Sequence, residues 1–189
     1  MPIMFIDVET TGLDCRIHEI IEIAIITQYS SGNVTKYHQR ITIENWATVQ
    51  PEALNINGYT EDKWKDSKPM SEVIQEIHCH FKKGLVVGYN PSFDWGFLTA
   101  AFEKYGLDIP WRVRLIDLMP MVYFHLQPLG CPGLSLDAVR RFLGWSMIDN
   151  HTAMKDTRDV FRLYFLFKNW NMMTKYWLMF KTRVKLRMM

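Results

Sequence analysis

The chain has 189 residues, enough for one domain with a substantial core and short for two, and its 48% hydrophobic and 22% charged residues exclude an intrinsically disordered protein. Its net charge of +2 is uneven, because residues 170–189 carry five basic residues and no acid, and removing these five charges leaves −3 for residues 1–169. A mildly acidic body of this kind argues against a general nucleic-acid-binding surface.

The first part of the chain predicts three strands. Residues 2–8 form a short apolar run that is typical of a buried strand, and residues 19–29 are rich in isoleucine. Turn residues 30–33 separate this second strand from an alternating third strand, residues 34–43, so these two are predicted to form a hairpin. Residues 45–69 are polar and are predicted to be irregular.

The middle of the chain predicts a helix, a strand and a second helix. Apolar residues recur at helical spacing over residues 70–81, which predicts the first of these helices. Residues 85–89 (LVVGY) read as a buried strand. The next helix is predicted to begin at Pro91, with Asn90 as its cap.

The last part of the chain predicts a short strand and two more helices. The strand covers residues 114–117, one helix covers residues 134–143 with Ser135 as its cap, and a long helix runs from about residue 152 to residue 180. The five strands and the helices between them predict a three-layer α/β domain around a mixed five-stranded sheet, with an antiparallel strand supplied by the hairpin.

The chain gives no sign of export or membrane insertion. Its N-terminus leads directly into the first predicted strand, without the basic and apolar regions of a signal peptide. No stretch is continuously apolar over the roughly 18 residues that a membrane helix requires. The three cysteines, Cys15, Cys79 and Cys131, are poor material for a disulfide framework and favour a reducing, cytoplasmic location.

Two carboxylates end the first predicted strand, in the segment MFIDVETTGL. Asp7 and Glu9 are two residues apart on a strand, so both point to the same face. They repel each other unless a cation bridges them, although solvated acids at a strand end would give the same pattern. Thr10, Thr11 and Gly12 follow, and they offer hydroxyls and backbone N–H groups to a phosphate or a sugar. Together these residues favour a cation and phosphate site.

Three further candidates lie at helix starts. Asp94, in VVGYNPSFDWGFL, follows a buried strand where α/β folds bind ligands, but an acid there also complements a helix dipole. His151 and Asp156 are five residues apart in HTAMKDTRDV and would not share one helix face. We therefore expect His151 in the loop before the last long helix, with a capping or solvated histidine as the alternative. Asp156 is expected on the first turns, facing the sheet.

Three segments in order, DVETTGL, VGYNPSFDWGFL and HTAMKD, resemble the DEDDh exonucleases, a family that includes proofreading exonucleases such as the epsilon subunit of bacterial DNA polymerase III. The resemblance extends from about residue 3 to residue 167. His151 stands where the histidine group of the family has its histidine, and Thr152 stands where a sister group has tyrosine. The resemblance implies a ribonuclease H-like fold and a 3′–5′ exonuclease that releases nucleoside 5′-monophosphates.

The resemblance also implies roles for the site residues. Asp7, Glu9 and Asp156 would hold one divalent cation, and Asp7 would reach a second, with Asp94 contributing directly or through water. Oxygen ligands of this kind suit Mg²⁺ or Mn²⁺, and two such ions support phosphodiester hydrolysis. His151 would act as the general base, a role that suits imidazole because it titrates near neutral pH.

Substrate contacts are expected from the turn after the first strand. By resemblance, Thr10, Thr11, Gly12 and Leu13 would hold the terminal nucleotide, with Leu13 packed against the last base. Trp95 is the candidate for stacking on a base at the rim of the site, because base–aromatic stacking tolerates any sequence.

Two questions stay open at the level of sequence. The substrate is either DNA, with single-stranded or frayed 3′ ends preferred, or RNA that is trimmed at its 3′ end. A non-catalytic adaptor is a further alternative, but such a protein would be expected to lack site residues. Residues 1–170 are predicted to be the exonuclease domain, and residues 171–189 an aromatic and basic extension. That extension either docks a separate polymerase or replication protein, or grips substrate phosphates.

Overall fold

The computed structural model describes residues 1–81, 84–109, 113–148 and 151–187. Its five strands are β1 Ile3–Thr10, β2 Ile20–Gln28, β3 Val34–Arg40, β4 Gly84–Gly88 and β5 Val113–Asp117. Its α-helices are α1 Pro51–Ile56, α2 Glu61–Trp64, α3 Met70–His78, α4 Pro91–Lys104, α5 Met119–His125, α6 Leu136–Leu143, α7 Ala153–Lys168 and α8 Met172–Arg187. Short 3₁₀ helices cover Trp46–Thr48, Cys79–Phe81 and Gln127–Leu129.

The strands form one mixed sheet in the order β3-β2-β1-β4-β5, which confirms the predicted fold class. The predicted hairpin is present as the antiparallel pair β2 and β3, and Gly32 takes a positive φ of 91° in its turn. β1 pairs antiparallel with β2 and parallel with β4, and β4 pairs parallel with β5.

The pairing of β1 leaves its carboxyl end open on one side. β4 pairs only with the first part of β1, from Ile3 to Phe5, whereas β2 pairs along the whole strand as far as Thr10. Asp7 and Glu9 therefore lie beyond the last β4 partner, with β2 on one side and, among the described residues, no paired strand residue on the other. This step in the sheet forms the crevice in which open α/β folds bind ligands.

Alternate residues of β1 enter two different cores. Met4 and Ile6 are fully buried against α3 and α4, whereas Phe5 packs in the second core with residues of α5, α6 and α7. Because side chains alternate along a strand, Asp7 and Glu9 follow Phe5 onto the face covered by α7. The two layers of helices thereby bring α7 over the two carboxylates.

Helix α7 docks on the sheet through apolar residues at helical spacing. Val160, Leu163 and Phe167 are buried in the second core, each contributing about 1.5–3 kcal/mol if fully buried. Thr157 is also buried, and its hydroxyl donates to the carbonyl of Ala153 at 2.7 Å within the helix. This packing fixes the first turns of α7 above β1 and β2.

The prediction that residues 45–69 are irregular was wrong. They contain a 3₁₀ helix and the short helices α1 and α2, and they build a small third core from Trp64, Ile21 and Ile43. The indole N–H of Trp64 donates to the carbonyl of Ile21 at 2.9 Å. Short helices separated by polar residues show little periodicity, and one buried tryptophan holds them through tertiary contacts that the local pattern does not reveal.

The predicted long helix from residue 152 to residue 180 was also wrong, because the chain breaks between α7 and α8. The side chain of Asn171 accepts a hydrogen bond from the backbone N–H of Thr174 at 2.9 Å, which caps a new helix. The hydroxyl of Thr174 donates to the carbonyl of Asn169 at 3.3 Å. The side chain of Asn171 and the backbone carbonyl of Asn169 thus form a tight connection between the two helices.

Two smaller differences concern helix α5 and Asn90. Helix α5, residues Met119–His125, was not predicted. Asn90 precedes α4 as expected, but it takes a left-handed conformation with φ 60° and its side chain makes no capping hydrogen bond. Its backbone N–H donates instead to the carboxylate of Asp117 at 3.0 Å, so β5 fixes the start of α4.

Candidate active site

Asp7, Glu9 and Asp156 lie together at the carboxyl end of β1. One carboxylate oxygen from each of the three lies within 4.8 Å of the other two. Asp7 and Glu9 are partly buried, and Asp156 is buried on the first turn of α7, which confirms its expected place facing the sheet. Residues 149 positions apart in the chain therefore meet at one point.

Asp94 lies in the first turn of α4 and is only 4% exposed. Its Oδ1 accepts a hydrogen bond from the backbone N–H of Val8 at 2.9 Å. Val8 lies between Asp7 and Glu9, on the part of β1 that β4 does not pair. The Asp94 carboxylate thus takes the place of a neighbouring strand as the acceptor for this N–H, and it is held beside the other acids.

Crowding and burial raise the pKa values of these carboxyl groups. Burial raises the pKa of Asp7 well above its usual range, and repulsion from the other carboxylates, above all Asp94, adds to the effect. Burial, followed by repulsion from Asp156, raises the pKa of Glu9 to about 8. Burial likewise raises the pKa of Asp94 to about 7, against the hydrogen bond from Val8. The cluster resists carrying all of its negative charges without a compensating cation.

Two opposing influences act on the pKa of Asp156, which is raised on balance. Burial raises the pKa of Asp156, whereas the positive charge of Arg140 and its hydrogen bond lower it. Arg140 is fully buried on α6, and its Nη2 donates to Asp156 Oδ1 at 2.6 Å. The sequence did not indicate that Arg140 belongs to the site. Its one local signal is Asp137 three residues before it, a spacing at which ion pairs are common on helix surfaces.

His151 occupies the loop before α7, as expected, in a left-handed conformation with φ 61°. Its side chain is 42% exposed, and its Nε2 lies 3.8 Å from Asp137 Oδ2. The imidazole is therefore accessible to solvent and lies close to a carboxylate of α6. Asp137 also accepts from Arg140 Nη1 at 2.8 Å, which connects the histidine to the residue that binds Asp156.

The turn after β1 differs from the expected arrangement of free hydroxyls. Thr10 is 6% exposed and its hydroxyl donates to the carbonyl of Gly12 at 2.7 Å, while the fully buried Thr11 hydroxyl accepts from the backbone N–H of Glu19 at 2.9 Å. Both hydroxyls shape the turn, and contact of this turn with a phosphate or sugar stays a prediction. Leu13, in contrast, is 79% exposed at the tip.

Gly12 is required for close approach rather than for a positive φ. A Cβ atom added there would lie 2.3 Å from the ring of His18, so a side chain at this position would displace the histidine. Asn57 supports the same turn from the α1 segment, because its side-chain amide donates to the carbonyl of Thr10 at 2.9 Å. This asparagine is buried, and its role depends on a contact 47 residues away in the chain, which the local sequence does not reveal.

Trp95 does not occupy the predicted rim. It is partly buried and packs in the first core, with its ring centroid 5.5 Å from that of Phe81 and 6.4 Å from that of Phe102. One residue along a helix turns the side chain by about 100°, so Asp94 points to β1 while Trp95 points towards α3. The indole serves to pack α4 and is a poor candidate for base stacking.

Residues 4–164 match the Exonuclease (RNase_T) family, and this match covers most of the chain. The chain belongs to this exonuclease family. The match confirms the resemblance drawn from the three sequence segments.

Named relatives of this exonuclease include DNA polymerases. It is 29% identical over 163 residues to the PolC-type DNA polymerase III of Thermotoga petrophila, which covers 86% of this chain and 11% of the relative. Over 162 residues it is 28% identical to the same type of polymerase from Streptococcus pneumoniae, again covering 11% of the relative. The chain thus spans about a tenth of the length of these relatives.

A solved structure supports the fold of the exonuclease. Exonuclease I of E. coli, in complex with a dT13 oligonucleotide, superposes with a TM-score of 0.77 at 21% identity, covering 89% of this chain and 41% of that one. The apo form of Exonuclease I gives a TM-score of 0.75 and covers 93% of this chain. These likenesses confirm the ribonuclease H-like fold with its mixed sheet and flanking helices.

The donor set of the exonuclease fits a hard divalent cation. The group of Asp7, Glu9 and Asp156 offers oxygen atoms alone, which are the ligands that Mg²⁺ and Mn²⁺ prefer. Burial is the main cause of the raised pKa values of Asp7 and Glu9, and repulsion between the acids adds to it in spite of Arg140, so a bound cation would offset both effects. A buried acidic cluster of this kind accords with a family that depends on divalent cations.

No helix in the described part of the chain is long and apolar enough to cross a membrane.

Proposed function

We propose that this exonuclease hydrolyses the 3′-terminal phosphodiester of DNA and releases nucleoside 5′-monophosphates one at a time. The observation that carries the proposal is the meeting of Asp7, Glu9 and Asp156 within 4.8 Å, with Asp94 fixed beside them. Single-stranded or frayed 3′ ends are the expected substrates. Similarity to a DNA polymerase and a shared fold with an enzyme crystallised on dT13 support DNA as the nucleic acid.

Two divalent cations, Mg²⁺ or Mn²⁺, are proposed as cofactors. Asp7, Glu9 and Asp156 would hold one, and Asp7 would share the second with Asp94, directly or through water. When bound, such ions neutralise charge on the scissile phosphate and lower the pKa of a coordinated water. Asp94 is suited to its part because the backbone of β1 fixes its orientation through Val8.

His151 is proposed to accept the proton of the attacking water. The water oxygen forms a new bond to phosphorus while the bond from phosphorus to the 3′ oxygen of the preceding nucleotide breaks. The loop position of His151 keeps its imidazole accessible, and its Nε2 lies 3.8 Å from a carboxylate oxygen of Asp137. A histidine that acts as a general base typically raises the rate by about 10²–10⁴-fold.

The turn at Thr10, Thr11, Gly12 and Leu13 is proposed to bind the terminal nucleotide. The exposed Leu13 would pack against the last base, whereas the two threonines act by holding the turn in shape. Asn57 also stabilises this turn, through the hydrogen bond that its side-chain amide donates to the Thr10 carbonyl. Replacing Leu13 should therefore change substrate binding, and replacing Thr11 should change the fold of the turn.

Residues 1–170 are proposed to be the catalytic domain, and residues 171–189 an extension that binds a partner. A separate DNA polymerase or replication protein is the proposed partner class, since the named relatives are DNA polymerases. Met172, Met173, Tyr176, Trp177 and Phe180 are exposed on α8, as at many protein interfaces. The unpaired state of Cys15, Cys79 and Cys131 fits the proposed cytoplasmic location.

Replacing the basic residues of the extension by alanine tests its role. The residues to replace are Lys175, Lys181, Arg183, Lys185 and Arg187. If the extension only docks a protein, turnover and salt dependence on a short oligonucleotide stay unchanged. If it grips phosphates, the slope of log K against log salt falls by about 0.7 for each lost contact with a single strand.

A digestion series tests the proposed activity. Oligonucleotides labelled at the 5′ or 3′ end, as single-stranded DNA, duplex DNA and RNA, are incubated with Mg²⁺, Mn²⁺ or EDTA. The expected result is mononucleotide release from 3′ ends of single-stranded DNA, abolished by EDTA and by Asp7→Asn but not by Asp66→Asn, since Asp66 is an exposed acid in the segment between α2 and α3. Cleavage in EDTA contradicts the metal mechanism, early internal fragments contradict exonuclease action, and faster digestion of RNA reverses the substrate assignment.

A further inference from the structure

Arg140 is the largest of the fully buried side chains, and three carboxylates surround it. Its Nε donates to Asp159 Oδ2 at 2.8 Å, its Nη1 to Asp137 Oδ1 at 2.8 Å, and its Nη2 to Asp156 Oδ1 at 2.6 Å. A guanidinium is planar and always charged, so three such bonds fix its position and the positions of its partners. Arg140 thereby joins α6 to the first two turns of α7.

The bond to Asp156 occupies one of the two carboxylate oxygens. Oδ1 accepts from Arg140, and Oδ2 has no hydrogen-bond partner within the described ranges of the chain. A carboxylate on the first turn of a helix can rotate about two side-chain bonds, and a partner on one oxygen removes that freedom. The orientation of Asp156 is therefore set by a residue on a different helix.

We propose that Arg140 is a positioning residue that holds Asp156 as a single-oxygen ligand for the divalent cation shared with Asp7 and Glu9. The inference rests on the proposed function, because it assumes that these three carboxylates bind the ion. The fork geometry of Arg140 is the essential property, because it anchors the guanidinium on Asp137 and Asp159 while presenting Nη2 to Asp156.

A simple charge effect makes the opposite prediction and can be separated from positioning. If Arg140 acts only through its positive charge, it repels a neighbouring cation, and removing the charge would strengthen metal binding. If it positions Asp156, then a lysine, which keeps the charge but lacks the fork, would weaken metal binding. Arg140→Lys and Arg140→Met therefore distinguish the two explanations.

Asp159 offers a matched control for loss of stability. It is buried three residues after Asp156 on α7, and it is held by Lys155 and by Arg162 at 3.2 Å as well as by Arg140. Asp159→Asn removes the charge of this partner but keeps an amide oxygen that can accept from Arg140 Nε, so the network is weakened while the anchor and the bond between Arg140 and Asp156 remain. A loss of metal affinity that arises merely from a loosened network would appear equally in this variant.

The first test is calorimetric titration of Mn²⁺ into the full chain, with melting in EDTA measured alongside. We expect Arg140→Lys and Arg140→Met to weaken Mn²⁺ binding by about 10–100-fold, the usual effect of losing a partner that orients a ligand. Asp159→Asn should keep its affinity within about threefold while melting earlier. Wild-type affinity in Arg140→Lys, or an equal loss in Asp159→Asn, would overturn the positioning role. A wild-type protein that binds no Mn²⁺ would instead refute the proposed metal site.

A second test uses the wild-type chain and does not depend on folding of the variants. Nitrogen-15 spectra of arginine side chains report whether the Arg140 guanidinium is held rigidly. We expect its Nε–H and Nη–H signals to show restricted rotation in EDTA and to keep it when Mg²⁺ saturates the site. Loss of the hydrogen-bonded Nη2–H signal on Mg²⁺ binding, with the Nε–H signal unchanged because Asp159 still holds it, would mean that Asp156 leaves Arg140 to reach the metal, and the proposal would fail.

Discussion

The backbone N–H of Val8 donates to Oδ1 of Asp94 across 2.9 Å, although the two residues lie 86 positions apart in the chain. Through this bond, helix α4 completes the hydrogen bonding of β1 just beyond the point where β4 stops pairing with it. The same carboxylate thus has a structural role at the sheet and a place beside Asp7 and Glu9. The two roles can be separated by substitution.

Asp94→Ala should destabilise the protein, whereas Asp94→Asn should not. Alanine leaves the N–H of Val8 buried without an acceptor, which costs about 1–3 kcal/mol of unfolding free energy. Asparagine keeps an acceptor oxygen and removes a charge that the neighbouring acids repel. Both variants should lose exonuclease activity. Urea unfolding and turnover on single-stranded DNA check this, and an active Asp94→Asn enzyme would exclude Asp94 from the metal site.

His151→Ala should lower turnover by about two to four orders of magnitude, because the attacking water loses its proton acceptor. Mn²⁺ affinity should stay unchanged, since the histidine is proposed to take no part in holding the ion. His78→Ala is the matched control, because His78 lies on α3 and contacts the carbonyl of Asp108 at 2.8 Å. Single-turnover kinetics measure the effect. An unchanged rate in His151→Ala would remove the histidine from the mechanism.

The metal-free protein should become less stable as pH rises. Glu9 and Asp94 have pKa values of about 8 and about 7 in the folded protein, well above the value near 4 of unfolded carboxyl groups. The folded state therefore binds more protons between about pH 4 and pH 8, so the contribution of these groups to stability is full at low pH and is lost as pH rises through their folded pKa values.

Melting in EDTA from pH 5 to pH 8.5, compared with melting in Mn²⁺, checks this dependence. We expect the melting temperature to fall with pH in EDTA, and the fall to shrink in Mn²⁺ because a cation offsets the carboxylate charges. Glu9→Gln should flatten the dependence in EDTA. A melting temperature that rises over this range without metal would show that the cluster is not held in a repulsive arrangement.

The sequence predicted those parts of the site that depend on local geometry. The two-residue spacing of Asp7 and Glu9 placed both on one face of β1, and the position of Asp156 at a helix start placed it above that face. These inferences need only the periods of strands and helices and the layered order of the elements. They hold because the apolar neighbours decide which face is buried.

The sequence did not predict the residues whose roles depend on distant partners. Arg140 looks like one of the surface charges of an amphipathic helix, and only its contacts with Asp156 and Asp159, 16 and 19 residues away, reveal that it is buried. Asn57 is similarly inconspicuous until it meets the Thr10 carbonyl. Trp95 was wrongly predicted to lie at the rim of the site because it follows Asp94 in the sequence. One step along α4 moves a side chain from the site into the core.

Leu13→Ala should weaken binding of DNA 3′ ends without affecting the fold. The side chain is 79% exposed, so its loss should change the unfolding free energy by less than about 0.5 kcal/mol. If it packs against the terminal base, KM for single-stranded DNA should rise severalfold, because the base loses an apolar contact that shields it from water. Ile17→Ala is the matched control, because Ile17 is also an exposed apolar residue on the loop that follows β1. Steady-state kinetics on oligonucleotides of fixed length measure both variants. An equal rise in KM for both would indicate a general apolar surface effect, and no rise in Leu13→Ala would remove this residue from the nucleotide site.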